Sequence, residues 1–254
     1  MSELVILGSS NAVASPGHAN THLLLLTGKK KVLIDCATNP VVRLQEAGCE
    51  INSVTHIILT HMHPDHVSGF PILLMDMWLT GRNYPLNVYG LAFTLERIQK
   101  MLELYNWLEW PNFFQVNFIT ISSETHEVVL FDNDLKIYSS PVTHFLPNIC
   151  LRIELPAVKK SIVYSCDTEP CQNVQDLAYE TDMLLHEASG DLPGHSSAAQ
   201  AGMIAENAKV KNLYLIHYPN NELSSDNLLI EAANHFSGKI IKAVDLMRIN
   251  LDVL

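Results

Sequence analysis

His61-Met62-His63-Pro64-Asp65-His66 places three imidazoles and one carboxylate within six consecutive residues. Side chains of these types, so closely spaced, have few uses other than holding metal, and imidazole with carboxylate is a donor set for zinc, manganese or iron. The run follows the apolar stretch Val54 to Leu59, interrupted by Thr55 and His56, so it sits where a strand turns into a helix. His61 and His63 alternate and can point the same way. Asp65 and His66, one step further round, can serve a second ion. The spacing is not that of His-Glu-x-x-His, in which one helix face presents both imidazoles. These four residues do not close a site for two ions. The remaining candidates sit at the ends of apolar strands: His144 in Val142-Thr143-His144-Phe145-Leu146-Pro147, Asp167 after Ile162 to Cys166, and His217 after Leu213 to Ile216. Taken singly, each reads equally well as a capping Asp or an exposed His. Taken with the first motif, they complete a ligand set. His18, His56, His126 and His235 read as ordinary surface or core residues. His186 adjoins Glu187 and is expected to support a site rather than bind metal.

The elements that must position these residues alternate between hairpins and β-α units. Val5 to Leu7 is a short strand, and His22 to Leu26 with Val32 to Asp35 form a hairpin around Gly28. The pattern predicts a strand over Val54 to Leu59, one helix from Asp65 to Leu79 and another from Phe93 to Trp107. Strands are expected over Phe114 to Ile121, His126 to Phe131, Leu135 to Ser139, Ile149 to Leu155 and Ser161 to Cys166. The last part reads strand (Met183 to His186), helix (Ser196 to Ala208), strand (Leu213 to His217), helix (Asn227 to Phe236), strand (Lys239 to Ile241). Residues 1–254 are therefore read as one α+β domain, with two mixed β-sheets packed face to face and helices on the outer faces.

The chain has 254 residues, 48% hydrophobic and 17% charged, enough for a sizeable core. No apolar run is long enough to span a membrane, and Met1-Ser2-Glu3-Leu4 carries no basic signal region, so no membrane association is expected. Five scattered cysteines without a Cys-x-x-Cys pair read as reduced thiols in a cytoplasmic protein. Against 27 acidic residues stand 16 basic ones, a net charge of −11, which disfavours a grip on long nucleic acid. The only basic run, Lys29-Lys30-Lys31, reads as a hairpin tip.

The order of motifs resembles the metallo-β-lactamase superfamily and, more narrowly, its ribonuclease Z-like branch. The resemblance covers nearly the whole chain. It is carried by Ile6-Leu7-Gly8-Ser9-Ser10, Leu33-Ile34-Asp35-Cys36, the His61 to His66 run, Ser68-Gly69-Phe70-Pro71 and Ser165-Cys166-Asp167-Thr168, then by His186-Glu187-Ala188-Ser189, Gly194-His195-Ser196-Ser197 and Ile216-His217-Tyr218. The first motif is specific to the superfamily; the His-Glu-Ala-Ser and Gly-His-Ser-Ser pair points to the branch. The resemblance implies an αββα sandwich with two divalent ions, expected to be zinc, at the edge between the sheets. His61, His63 and His144 would take one ion, Asp65, His66 and His217 the other, and Asp167 would bridge them. It also implies that Asp65 orients the attacking water or takes its proton. His195, held near Glu187, would stabilise the scissile phosphate or protonate the leaving oxygen. In lactamase and glyoxalase relatives a Pro-Gly-His-Ser/Thr motif precedes the bridging Asp; here Pro193-Gly194-His195-Ser196 follows Asp167.

The chain departs from ribonuclease Z proper in three places. Only residues 145–166 separate His144 from Asp167, leaving no room for the tRNA-clamping arm. The family's Asp-Cys-Gly-Glu-Gly segment is Asp35-Cys36-Ala37-Thr38-Asn39, and the residues after the last His are Tyr218-Pro219-Asn220-Asn221. The expected activity is therefore a metal-dependent phosphodiesterase acting on a small phosphodiester, a cyclic nucleotide being one candidate. The alternatives are tRNA 3′ processing, hydrolysis of a lactone or sulfate ester, and a non-enzymatic sensing protein. The aromatic residues between Trp78 and Phe114 are expected in the core or at a dimer contact rather than stacked on substrate. The apolar face from Leu73 to Leu79 suits a homodimer.

Overall fold

The computed structural model describes residues 2–28, 30–219 and 227–254. The first half contributes β1 (Ser2–Gly8), β2 (His22–Thr27), β3 (Lys30–Ile34), α1 (Pro40–Glu46), β4 (His56–Leu59), α2 (Pro64–Val67), α3 (Phe70–Leu79), β5 (Leu86–Leu91), α4 (Ala92–Glu103) and β6 (Val116–Ile121). The second half contributes β7 (Glu127–Phe131), β8 (Lys136–Pro141), β9 (Ile149–Leu155), β10 (Lys160–Tyr164), α5 (Gln172–Ala178), β11 (Met183–Glu187), α6 (Ala198–Asn207), β12 (Asn212–Ile216), α7 (Asn227–Ala233), β13 (Lys239–Lys242) and β14 (Arg248–Asn250). The strands form two seven-stranded sheets, in the orders β14-β1-β2-β3-β4-β5-β6 and β13-β12-β11-β10-β9-β8-β7. Both are mixed: β1 to β3 and β7 to β10 pair antiparallel, while β3 to β6 and β10 to β13 pair parallel.

The period-two alternation of the central strands sorts their side chains between the layer shared by the two sheets and a layer under the helices on each outer face. Leu4 and Ile6 of β1, Leu23 and Leu25 of β2, and Val32 and Ile34 of β3 face the other sheet. There they meet Ile162 and Tyr164 of β10, Met183 and Leu185 of β11, and Tyr214 and Ile216 of β12. The intervening Val5, Leu7, Leu24 and Leu33 pack under α1, α3 and α4. Val163, Leu184, Leu213 and Leu215 pack under α5, α6 and α7. Strands buried on both faces read as continuous apolar runs, which is why these segments stood out. The result is the expected αββα sandwich. Among the described residues no helix is long and apolar enough to cross a membrane.

Several boundaries differ from the sequence expectation. The helix expected from Asp65 to Leu79 is two helices, broken at Ser68-Gly69. Pro71 has no N–H to give the carbonyl of residue 67. Gly69 lies against α1, where an added Cβ would stand 2.4 Å from Pro40 Cδ and 2.9 Å from the carbonyl oxygens of Ala37 and Thr38. The helix expected to reach Trp107 stops at Glu103, because Asn106 turns into the left-handed region and starts a separate short turn at Trp107–Glu109. β5, α1, α5 and β14 had no clear sequence signal. Lys30 and Lys31 belong to β3, where they contact Asp132 and Ser53; Lys29 lies outside the described residues.

Two backbone bonds with Cys36 hold α2 in place: Cys36 donates to the His66 carbonyl at 2.6 Å, and Gly69 donates to the Cys36 carbonyl at 2.9 Å. Gly69→Ala should destabilise the protein by about 1–3 kcal/mol, the range for overpacking a filled site. A denaturant midpoint indistinguishable from that of the parent would contradict this packing.

Candidate metal and active site

One edge of the sandwich gathers the ends of strands from both sheets. β4 ends at Leu59, and its continuation carries His61, His63, Asp65 and His66 around the start of α2. The β8–β9 loop carries His144, the end of β10 leads to Asp167, β11 ends on Glu187, and β12 leads to His217. Asp35, Cys166 and His217, just past their strands, take positive φ angles of 61°, 53° and 53°. Left-handed backbone costs a non-glycine residue about 1–2 kcal/mol. The distortion turns the chain abruptly at the strand end and leaves the side chain over the cleft.

The hydrogen-bond network fixes which nitrogen of each imidazole is bare. His144 Nδ1 lies 2.7 Å from the Gly194 carbonyl, which can only accept, so Nδ1 carries the proton and Nε2 is a free lone pair. His66 Nδ1 donates likewise to Asp35 Oδ2 at 2.8 Å. The single hydroxyl proton of Ser189 goes to the His217 carbonyl at 2.7 Å, so His217 Nδ1 must donate to Ser189 Oγ at 2.8 Å. Thr60 donates to Asp35, so His61 Nδ1 must donate to Thr60 Oγ1 at 3.1 Å. In the neutral form of each of these four imidazoles Nε2 is the bare nitrogen, and it points inward.

Those lone pairs converge on two points. His61 Nε2 and His144 Nε2 each lie 3.0 Å from His63 Nδ1. His66 Nε2 lies 3.4 Å from Asp167 Oδ1 and 3.5 Å from Asp65 Oδ2. His217 Nε2 lies 3.4 Å from Asp167 Oδ2 and 3.5 Å from Asp65 Oδ2. Ligands of one tetrahedral ion at ~2.1 Å stand about 3.4 Å apart, so the second set already has the spacing such an ion requires. Two groups result, His61-His63-His144-Asp167 and Asp65-His66-Asp167-His217, each with its donor atoms within 4.8 Å of one another. Asp167 belongs to both. Among the described residues the buried His66 Nε2, His217 Nε2 and Asp167 Oδ1 have no hydrogen-bond partner. Buried acceptors facing acceptors are costly unless a cation joins them. The donor set thus fits divalent metal.

The electrostatics agree. Burial, reinforced by the neighbouring His66, holds His61 well below the usual imidazole pKa. Burial would also lower His66, but Asp167 and Asp35 outweigh it and push it well up, so these carboxylates favour positive charge at its Nε2, whether a proton or a metal ion carries it. Burial raises Asp167, yet His217 and His66 pull it well below the ordinary carboxylate range. Asp65 is likewise lowered, burial being outweighed by His217 and His66. The carboxylates stay ionised and call for positive charge beside them.

Two further groups contain ligand-type atoms but are already occupied. Cys166 donates to Thr60 Oγ1 at 3.0 Å, and burial and Asp35 hold its thiol well above the usual range. Glu187 Oε1 accepts from Thr168 N and His195 Nδ1, each at 2.9 Å, and Oε2 accepts from Ser189 N at 2.9 Å. The sequence-expected pairing of His195 with Glu187 is therefore present. Burial lowers the His195 pKa, but the bond and charge of Glu187 outweigh it and the net shift is upward. His195 lines the same pocket as His63, Asp65, Asp167 and His217, a cavity of about 310 Å³. A larger hollow of about 400 Å³ around Cys49 and Thr80 contains none of these groups.

The sequence reading overlooked what orients the imidazoles. Asp35 was noted only as part of a motif, although it follows an apolar strand as Asp167 does. Thr60, Ser189 and the Gly194 carbonyl carry no distinguishing sequence signal. His186 is buried, with Nδ1 donating to the Glu187 carbonyl, and belongs to neither metal-ligating group. Trp78, Trp107, Trp110, Phe113 and Phe114 pack on one another, Trp78 stacking on Trp110 at 5.0 Å, while Tyr84, Tyr89 and Phe93 meet Arg82, His56 and Arg97; none of the aromatics from Trp78 to Phe114 lines the pocket.

Comparison with known proteins places this geometry among its relatives. The chain is 26% identical to a ribonuclease Z of Methanothermobacter thermautotrophicus, over 99% of this chain and 97% of that protein. The metallo-β-lactamase fold protein YhfI from Bacillus subtilis superposes with a TM-score of 0.84 at 22% identity, covering 98% of each chain. A diphosphatase of the PhnP family gives a TM-score of 0.75 at 21% identity, again over 98% of each chain. The fold is thus that of the metallo-β-lactamases, and the sequence lies on their ribonuclease Z-like side. A family profile described as "Anti-Pycsar protein Apyc1" matches residues 2–236, nearly the whole length, and the chain belongs to that family.

Proposed function

We propose that this metal-dependent hydrolase is a phosphodiesterase for small phosphodiesters, cyclic nucleotides among them. The observation that carries this reading is the convergence of two ligand sets on Asp167, with the His195–Glu187 pair on the wall of the same pocket. His61, His63 and His144 would hold one divalent ion, Asp65, His66 and His217 a second, with zinc the first expectation for both. Bound there, the ions supply Lewis acidity: they neutralise phosphate charge and acidify water. Asp65, kept ionised, takes up or directs the proton of the attacking water. His195, with Nδ1 on Glu187, turns Nε2 toward the phosphate or the leaving oxygen, and the upward shift of its pKa caused by Glu187 favours the protonated ring that can donate there. Glu187 is saturated by three donors and acts through His195.

The ribonuclease Z relatives favour a second reading, tRNA 3′ processing. Against it stands the segment between His144 and Asp167, which is filled by β9, the turn at 156–159 and β10. No arm emerges there. The acidic balance of the chain also opposes a long polyanion.

Zinc titration followed by elemental analysis should find two ions per chain, and a chelator should abolish cleavage of bis(p-nitrophenyl) phosphate; retention of full activity without metal would refute the reading. Asp35→Asn should weaken metal binding about 10–100-fold, as loss of a carboxylate behind a ligating histidine does elsewhere. Unchanged affinity in chelator competition would remove Asp35 from that role. His195→Ala should lower kcat about 10²–10⁴-fold, the range for a general acid, with metal content preserved. A wild-type kcat in that variant would disqualify His195.

A further inference from the structure

The pocket has an apolar rim that the proposed hydrolysis does not use. Phe145 and Leu192 both line it, and they are 65% and 59% exposed. An exposed hydrophobic side chain is ordinary by itself. Two of them lining one cleft together with ionisable groups are less so, and Phe145 is built into place. Its ring lies against Gly194, where an added Cβ would come within 2.7 and 2.8 Å of Cε2 and Cδ2. The ring also meets the His144 imidazole edge to face, centroids 5.5 Å apart at 60°.

The backbone below the ring is tied to the candidate ligands. Gly194 accepts from His144 Nδ1 and donates to Glu169 Oε1 at 2.8 Å, while Glu169 N donates to the Thr143 carbonyl at 2.9 Å. Leu192 sits in the turn that leads to His195, whose N–H donates to the Leu192 carbonyl at 3.0 Å. Phe145 and Leu192 therefore keep a fixed position relative to His144 and His195. A group lying on them is one bonded to the phosphorus, beside the charged floor of the site.

We infer that Phe145 and Leu192 form a platform for the organic group of the phosphoester and select a flat ring over a small alkyl group. A planar ring can stack on the exposed Phe145 face and bury Leu192 at its edge, whereas a methyl group reaches neither. Stacking of a ring on one aromatic side chain is worth about tenfold in affinity. The inference rests on the phosphate-binding reading of the site and names the part of the substrate that the metal-ligating groups do not read.

Calorimetric titration of the zinc-loaded protein with phenylphosphonate and methylphosphonate tests it without any turnover. The phenyl compound should bind about tenfold more tightly. Phe145→Ala should reduce that preference to twofold or less, Leu192→Ala should reduce it in part, and Phe145→Trp should keep it. Equal binding of the two compounds by the parent protein, or an undiminished preference in Phe145→Ala, overturns the platform while leaving the phosphate site intact. Binding of neither compound refutes the phosphate-binding reading, and the platform falls with it.

Discussion

An imidazole can leave only one of its two nitrogens bare, and here the surrounding protein decides which. Asp35, Thr60, Ser189 and the Gly194 carbonyl each take or fix the outer N–H of one histidine, so that four Nε2 lone pairs face inward. Without those partners the same histidines could rotate or change tautomer, and the carboxylates of Asp65 and Asp167 would face no consistent set of donors. The arrangement is stable only with positive charge at its centre, because buried acceptors otherwise meet acceptors. The shape of the site follows from this constraint.

The two-sheet architecture serves it directly. Thr60, Asp167 and His217 come from strands in different sheets, so the ligand sets exist only when the sheets are packed face to face. The layer between them is almost wholly aliphatic and makes that packing rigid. At the strand ends the backbone takes the left-handed turn at Asp35, Cys166 and His217. Two of these turns are held by specific backbone bonds: Asp35 N donates to the Ile58 carbonyl at 2.8 Å, and His217 N donates to the Ser9 carbonyl at 2.9 Å. Part of the backbone strain thus falls at positions that aim the side chains, and the core supplies the stability that sustains it.

The candidate metal ligands that the structure brings together were legible in the sequence because their types are rare in combination and because apolar strands announce where they end. Ile162 to Cys166 pointed to Asp167, and Leu213 to Ile216 pointed to His217. The sandwich was legible because strands buried on both faces leave unbroken runs of Leu, Ile and Val. β5 was not, since Asn87, Tyr89 and Gly90 interrupt its apolar residues. The break between α2 and α3 depends on the approach of α1 to Gly69, a tertiary contact that local periodicity does not encode. The orienting groups were hidden for a similar reason. A serine hydroxyl or a glycine carbonyl is common, and only the fold puts Ser189 under His217 and Gly194 under His144.

The kind of phosphodiester that the metal-loaded site accepts separates the two readings of this fold. The most direct measurement incubates the zinc-reconstituted protein in parallel with a 3′,5′-cyclic nucleotide and with a precursor tRNA carrying a 3′ trailer. The account predicts ring opening of the cyclic nucleotide to a monophosphate while the tRNA remains intact. Accurate removal of the trailer with the cyclic nucleotide untouched would contradict it.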